Sequence, residues 1–223
     1  MRLPDHATPF VTAFRVIPGI DDPTIALTRR RPEPLPRGVT AIALLPSGRT
    51  FQVTATSERR LRGQIVLGGL GSDFWDALSG ANELQLRSGA RVRRRISLPE
   101  AAAAVAAVRQ CVSQAMREWG VDEGALSALR QRPSSTNLLG MRASDYPAEA
   151  IRYATQGQVV VRIAVSTDGR AKECVPVGPS GSPTLDDATC QVILARARFR
   201  PAIAADGQPT AARIITAIVW RMP

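Results

Sequence analysis

The last third of this chain is a series of short apolar runs separated by strong turn and cap residues. Apolar residues at 159–165 and 213–220 are typical of strands, whereas 184–197 has the spacing of a helix. Together the runs predict a helix, two strands, a second helix and a last strand, paired antiparallel, over residues 144–223. The residues that separate the runs are Tyr146-Pro147, Gly157, Asp168-Gly169, Ser182-Pro183 and Pro201.

The N-terminal part predicts a different, mixed α/β domain. Residues 1–37 are rich in turn residues, and hairpin patterns follow from Gly38 onward. We therefore expect an α+β protein with a domain at 1–120, a linker with a short helix at 121–143 and a second domain at 144–223. The elements predicted for the first domain are strands at 38–45, 49–56 and 62–69, a helix at 72–80, a hairpin at 83–98 and an Ala-rich helix at 99–120.

Cap and stripe patterns give finer expectations for two helices. Ser72 is predicted to cap the helix at 72–80 through its side chain. Pro183 is predicted to lie in the first turn of the last helix. The buried stripe of this last helix is predicted to consist of Leu185, Ala188, Val192, Ala195 and Phe199.

The composition argues against an enzyme and against a metal site. The chain of 223 residues has one histidine, His6, and three cysteines, none in a CxxC pair. Ser-His and Cys-His catalysis need a positioned imidazole, and a structural zinc site needs about four clustered ligands. We therefore expect no catalytic residues, no metal, no cofactor and no small-molecule substrate.

Positive charge is the remaining compositional signal. The net charge is +10, and most of the excess lies in the first 120 residues. Arg91, Arg93 and Arg95 alternate in a predicted strand, so they share one face and form a candidate anion-binding site. Sheets that bind single-stranded nucleic acid usually add stacking aromatic residues. The hairpin has none, so we favour a solvated face and disfavour nucleic acid as a partner.

The order of motifs after residue 144 resembles the C-terminal domain of the TonB family. That family begins the domain with a YPxxA segment, which here is Tyr146-Pro147-Ala148-Glu149-Ala150. A strand with an acidic residue and glycine at its turn follows, then a helix that ends near RFRPA, a DGQP-like turn and a last strand. Here those pieces are Asp168-Gly169, residues 198–202 and 206–209, and the final run at 212–223.

The resemblance implies a binding protein of the periplasm rather than an enzyme. In the family the last strand receives an extended partner segment by β-augmentation, in which the partner adds a strand to a sheet edge. The partner would be a protein or peptide, an outer-membrane receptor segment being one candidate, or a second copy in a homodimer. Packing roles for Tyr146 and Pro147 are the alternative. The implied partner-binding residues are Tyr146, Pro147, Arg213, Ile214, Ile215, Thr216, Ile218 and Trp220.

Two cysteines fall on elements that touch in the implied topology. Cys174 lies on the second strand and Cys190 in the helix across it, so a disulfide is expected, with two buried thiols as the alternative. The bridge would agree with an oxidising compartment. We expect Cys111 to be a buried, reduced residue of the Ala-rich helix.

The start of the chain lacks the apolar segment of a signal peptide, and no apolar run is long enough for a membrane span. Either the protein is cytoplasmic or a leader or anchor is absent from this chain, and the periplasmic location that the resemblance implies favours the second. Two other functions stay open: a nucleic-acid or anionic-surface binder that uses the Arg-rich hairpin, and a cell-envelope enzyme whose site has no recognisable motif.

Overall fold

A computed structural model of the chain describes residues 11–15, 24–28, 39–57, 65–68, 70–88 and 92–222. The chain forms two compact units. The main part of the first unit ends at Val112, and the main part of the second begins at Ser113. The predicted division into 1–120, 121–143 and 144–223 stays a prediction. No helix within the described ranges has the length and apolar character needed to cross a membrane.

The first unit contains a seven-stranded antiparallel sheet with the strand order β1-β2-β5-β4-β3-β6-β7. The first two strands were not predicted, because they fall in the turn-rich segment at 1–37. The strands are β1 (Val11–Arg15), β2 (Thr24–Thr28), β3 (Val39–Leu44), β4 (Thr50–Ser57), β5 (Ile65–Gly68), β6 (Glu83–Ser88) and β7 (Val92–Ser97).

A short helix, α1 (Ser72–Ser79), contributes to the core of this unit. Phe74 and Leu78 are buried, and the Phe74 ring packs edge to face against Phe51 of β4 with the ring centroids 5.2 Å apart. The predicted side-chain cap is wrong: Gly71 occupies the N-cap position and Ser72 is the first helical residue, without a capping hydrogen bond.

The Ala-rich helix α2 (Ala101–Glu118) crosses the division between the two units. Val105 is buried in the first unit and Met116 is buried further along the helix. Gly120, at φ 69°, takes the left-handed conformation that follows many helix C-termini. Cys111 is exposed, so the expectation that it is buried is wrong.

The segment between 121 and 143 is packed rather than extended. It contains α3 (Glu123–Ser127), which Asp122 caps by accepting a hydrogen bond from the Ala125 N–H at 3.0 Å. The two-residue strand β8 (Ser134–Ser135) then pairs with β11 (Phe199–Arg200), and Leu139 is buried in the core of the second unit. The sequence analysis did not predict β8 or β11, because two residues give no periodicity.

The second unit has the predicted order of a helix, two strands, a helix and a last strand, and the predicted α+β class is confirmed. Its three-stranded antiparallel sheet has the order β10-β9-β14. A small hairpin, β12 (Ala202–Ile203) with β13 (Pro209–Thr210), precedes the last strand. The main elements are α4 (Ala148–Arg152), β9 (Gly157–Val165), β10 (Ala171–Gly178), α5 (Pro183–Arg196) and β14 (Ala212–Trp220).

The buried face of α5 differs from the predicted stripe. Leu185, Thr189 and Ile193 are fully buried one helical turn apart, whereas Ala195 is exposed. Phe199 is buried but belongs to β11, because the helix ends at Arg196. The stripe was misplaced because a threonine was not expected to occupy the centre of an apolar core.

Candidate functional site

The last strand, β14, forms one edge of the three-stranded sheet. It pairs with β9 over nine consecutive residues without a bulge, from Ala212 opposite Val165 to Trp220 opposite Gly157. Within the described part of the second unit, no strand pairs with its other side. The predicted partner-binding residues Arg213, Ile214, Ile215, Thr216, Ile218 and Trp220 all lie on this strand.

Alternate residues of β14 point their backbone groups away from β9. The Ser166 N–H donates to the Arg170 carbonyl at 3.0 Å, so the peptide groups of Ser166 face β10. Because the directions of the N–H and C=O groups alternate along an antiparallel strand, those of Val165 face β14, where its partner is Ala212. The residues whose N–H and C=O groups point to the unpaired side are then Arg213, Ile215, Ala217 and Val219.

Access to these outward positions is uneven. Val219 is 53% exposed and Arg213 is exposed, while Ile215 is only 5% exposed. Ala217 lies between these extremes. An added strand would therefore find accessible backbone groups near the start of β14 and, over a longer stretch, in its C-terminal half.

The opposite edge of the sheet, β10, is poorly suited to strand addition. Pro176 lies opposite Val161 in the register, a position whose nitrogen faces away from β9 by the same alternation. Proline has no N–H to donate there, and the pairing is also irregular between Ala171 and Glu173 and between Pro176 and Gly178. Bulges and prolines are common protections of edge strands. A proline inside a strand pattern indicates an edge strand. Pro176 could therefore have identified β10 as an edge from the sequence.

Tyr146 lies at the C-terminal end of β14. Its ring packs edge to face against Trp220 with centroids 5.2 Å apart, and its hydroxyl donates to the Thr155 carbonyl at 2.6 Å. Tyr146 is 9% exposed. The side chain therefore holds the segment before α4 against the end of the candidate edge. Pro147, the N-cap residue of α4, is half-buried beside it.

A buried hydrogen-bond chain holds the same end of β14 to α5. The Trp220 indole N–H donates to the Thr189 hydroxyl at 2.8 Å, and that hydroxyl donates to the Leu185 carbonyl at 2.7 Å. Thr189 is fully buried and Trp220 is 5% exposed. The indole dipole is therefore satisfied inside the core, as a buried Trp requires. Thr189 could not be predicted as a structural residue, because its role appears only when the two elements meet.

The structure contains the disulfide between Cys174 of β10 and Cys190 of α5, with Cα atoms 5.4 Å apart. It links the helix to the edge strand that carries Pro176. Covalent attachment on that side, and the indole hydrogen bond on the other, fix α5 across the sheet and hold the strands that support β14.

The opposite face of the sheet is held by Arg162 of β9. Its guanidinium donates to the Trp119 carbonyl at 2.8 Å and to Glu173 at 2.5 Å. The carbonyl is one of those that a helix leaves without an internal partner at its C-terminus. Arg162 therefore attaches the end of α2 to the sheet, a role that its place in an apolar strand did not reveal.

The Arg-rich hairpin has less support as a site. Arg95 is exposed on β7, at the edge of the seven-stranded sheet, opposite Gln85. Arg93 lies on the same strand, but the structure does not describe its side chain. Arg91 lies outside the described residues. The anion-binding role of these three residues stays a prediction.

Comparison with known proteins supports the motif-based resemblance. Residues 142–222 match the family model described as the Gram-negative bacterial TonB protein C-terminal domain. The match covers the 3-10 turn before Tyr146, the complete three-stranded sheet and α5. No curated protein matches the chain.

Proposed function

We propose that this chain, with a TonB C-terminal-type domain at residues 142–222, is a periplasmic interaction protein that captures an extended segment of a partner along β14. The partner would be a protein or peptide, and a segment of an outer-membrane receptor is the first candidate. The first unit would then serve another role in the same chain. Because the matching family consists of interaction domains, we propose that the protein is not an enzyme.

The observation that carries the proposal is the asymmetry between the two sheet edges. β14 is nine residues long, regular and without proline, and it is backed along its whole length by β9. β10 carries Pro176 and two irregularities. A partner strand gains affinity from main-chain hydrogen bonds, so it needs an edge with available N–H and C=O groups. Of the two edges, β14 is the one whose pairing register is regular, with accessible outward groups near its start and in its C-terminal half.

Exposed side chains on one face of β14 would give the capture its selectivity. In β-augmentation the backbone supplies affinity, and pockets for alternate side chains supply specificity. Val219 presents an exposed aliphatic group, and Arg213 presents a positive charge at the other end of the strand. A suitable segment would have aliphatic residues near Val219 and an acidic or polar residue near Arg213.

The proposed periplasmic location agrees with the disulfide between Cys174 and Cys190. A disulfide is retained in an oxidising compartment, such as the periplasm, and is rare in the cytosol.

A second copy of β14 is the alternative occupant of the edge. In that case the pairing would be isologous, with the same strand contributed by both protomers.

The test removes one outward N–H without changing the inner ladder. Ala217→Pro deletes a donor that faces the partner, whereas Ala217→Ser keeps it and serves as the matched control. Synthetic peptides that copy the N-terminal segments of outer-membrane receptors would be titrated into the full chain by calorimetry. We expect Ala217→Ser to bind as the unmodified protein does and Ala217→Pro to bind at least about tenfold more weakly.

Circular dichroism and amide spectra must show that both variants are folded. If a peptide binds the unmodified protein and the folded Ala217→Pro variant equally, capture does not use the β14 edge. If the unmodified protein binds none of the peptides but dimerises, and Ala217→Pro is monomeric, the second copy is the occupant.

A further inference from the structure

A cavity of about 410 Å³ in the second unit is lined by several arginine side chains. It lies between the end of α5 and the loop that precedes α4. It is separate from β14, and no residue of the proposed capture edge lines it. The lining residues are Asn137, Gly140, Met141, Arg142, Ala195, Arg196 and Arg198.

The positive charges of this cavity exceed its negative charges. Three arginine residues line it, Arg142, Arg196 and Arg198. Asp145 forms an ion pair with Arg196, and so neutralises one of the three. Arg198 donates from Nη1 to the Ala197 carbonyl at 2.8 Å, which orients the group but leaves its charge uncompensated. The cavity, which is largely open to solvent, therefore has a net positive charge.

The position of Arg198 is unfavourable for stability alone. Arg198 lies directly opposite Arg170 in an isolated antiparallel bridge. Like charges placed opposite each other across strands are destabilising. Asp168 lies 3.8 Å from the Arg170 Nε and offsets part of that repulsion, but it is exposed. A local rule broken in this way is expected at functional sites.

The wall of the cavity is held in a fixed conformation. The Asn137 side chain donates to the Arg196 carbonyl at 2.8 Å and accepts from the Arg198 N–H at 3.0 Å. Gly140, at φ 71°, packs so closely that a Cβ atom there would lie 2.8 Å from the Arg196 Cβ. The three arginines therefore project from a backbone that is already ordered, which lowers the entropy lost on binding.

We propose that this cavity is a binding site for a phosphate-type anion, with Arg198 and Arg142 as its principal ligands. The planar guanidinium group matches the geometry of phosphate oxygens with two parallel hydrogen bonds. The anion comes from a free phosphate compound or from the phosphate of an anionic lipid headgroup, and the chemistry of recognition is the same for both.

The test measures binding of inorganic pyrophosphate to the full chain by amide and arginine Nε–Hε NMR at constant ionic strength. We expect saturable shifts at Asn137, Arg142, Arg196 and Arg198. Arg198→Gln should weaken binding by about tenfold or more, since a charge-assisted hydrogen bond is lost. Arg152→Gln on α4 is the matched control, because it removes the same charge from an exposed position outside the cavity. It should leave binding unchanged.

A second arm identifies the source of the anion. The full chain is sedimented with vesicles of phosphatidylglycerol and of phosphatidylcholine. Binding to the first alone, lost in Arg198→Gln and kept in Arg152→Gln, assigns the site to lipid headgroups. Pyrophosphate binding without vesicle binding assigns it to a free phosphate compound. Absence of both, or an equal loss in Arg198→Gln and Arg152→Gln, overturns the proposal.

Discussion

A single threonine hydroxyl determines how the end of the last strand is held in the core. Thr189 is fully buried and accepts the Trp220 indole N–H. Thr189→Val should lower the free energy of unfolding by about 1–3 kcal/mol, because the buried indole loses its acceptor. Thr189→Ser keeps the hydroxyl and should cost less. Urea titration, followed through the amide signals of β9, compares the two; a valine variant as stable as the serine variant would contradict this account.

The turn between β9 and β10 contains one carboxylate with a perturbed pKa. The Ser166 hydroxyl donates to Asp168 and lowers the pKa of Asp168 below its ordinary value. A lowered pKa stabilises the folded state above the ordinary carboxyl pKa, and this contribution is lost as the pH falls through the folded pKa. Ser166→Ala should raise the pKa of Asp168 toward its ordinary value. An NMR titration of the carboxyl carbon checks this, and an unchanged midpoint would contradict it.

At the scale of elements, the disulfide between Cys174 and Cys190 joins β10 to α5 and closes the loop of chain between them. Replacing Cys174 and Cys190 with alanine should lower the free energy of unfolding by about 3 kcal/mol in the chain-entropy model.

Cys111 is exposed and free, so alkylation of the unreduced protein should modify one cysteine. Mass spectrometry counts the modified residues. Three modified cysteines without reduction would exclude the bridge.

The elements that could be predicted from the sequence are those with strong boundaries. Asp168-Gly169 marks the β9–β10 turn and Pro183 begins α5, so the order of elements in the second unit was predicted correctly. β1 and β2 were missed because they are five residues long and lie in turn-rich sequence.

The candidate site was predictable only in part, for a physical reason. The apolar pattern of 213–220 indicates a strand, but whether that strand is an edge depends on what pairs beside it. The roles of Arg162, Thr189 and Arg196 arise from contacts between elements distant in sequence, such as Arg196 with Asp145. Periodicity within one element carries no information about such contacts.

At the scale of the whole molecule, the proposed capture depends on the two sheet edges of the second unit. With β10 protected by Pro176, the proposal allows one added strand, at β14. Pro176→Val restores an outward N–H on β10 and should increase self-association. Sedimentation velocity over a range of concentrations measures this against the unmodified protein. Identical sedimentation at every concentration would contradict a protective role for Pro176.

Hydrogen exchange along β14 tests the central claim most directly. In the free protein, the amides of Ile214, Thr216 and Ile218, which face β9, should exchange slowly. The amides of Ala217 and Val219, which face the unpaired side, should exchange much faster. A captured partner segment should slow Ala217 and Val219 while leaving the amides of β10 unchanged. Uniformly slow exchange along β14 in the free protein, or a partner that binds without protecting Ala217 and Val219, would contradict capture at this edge.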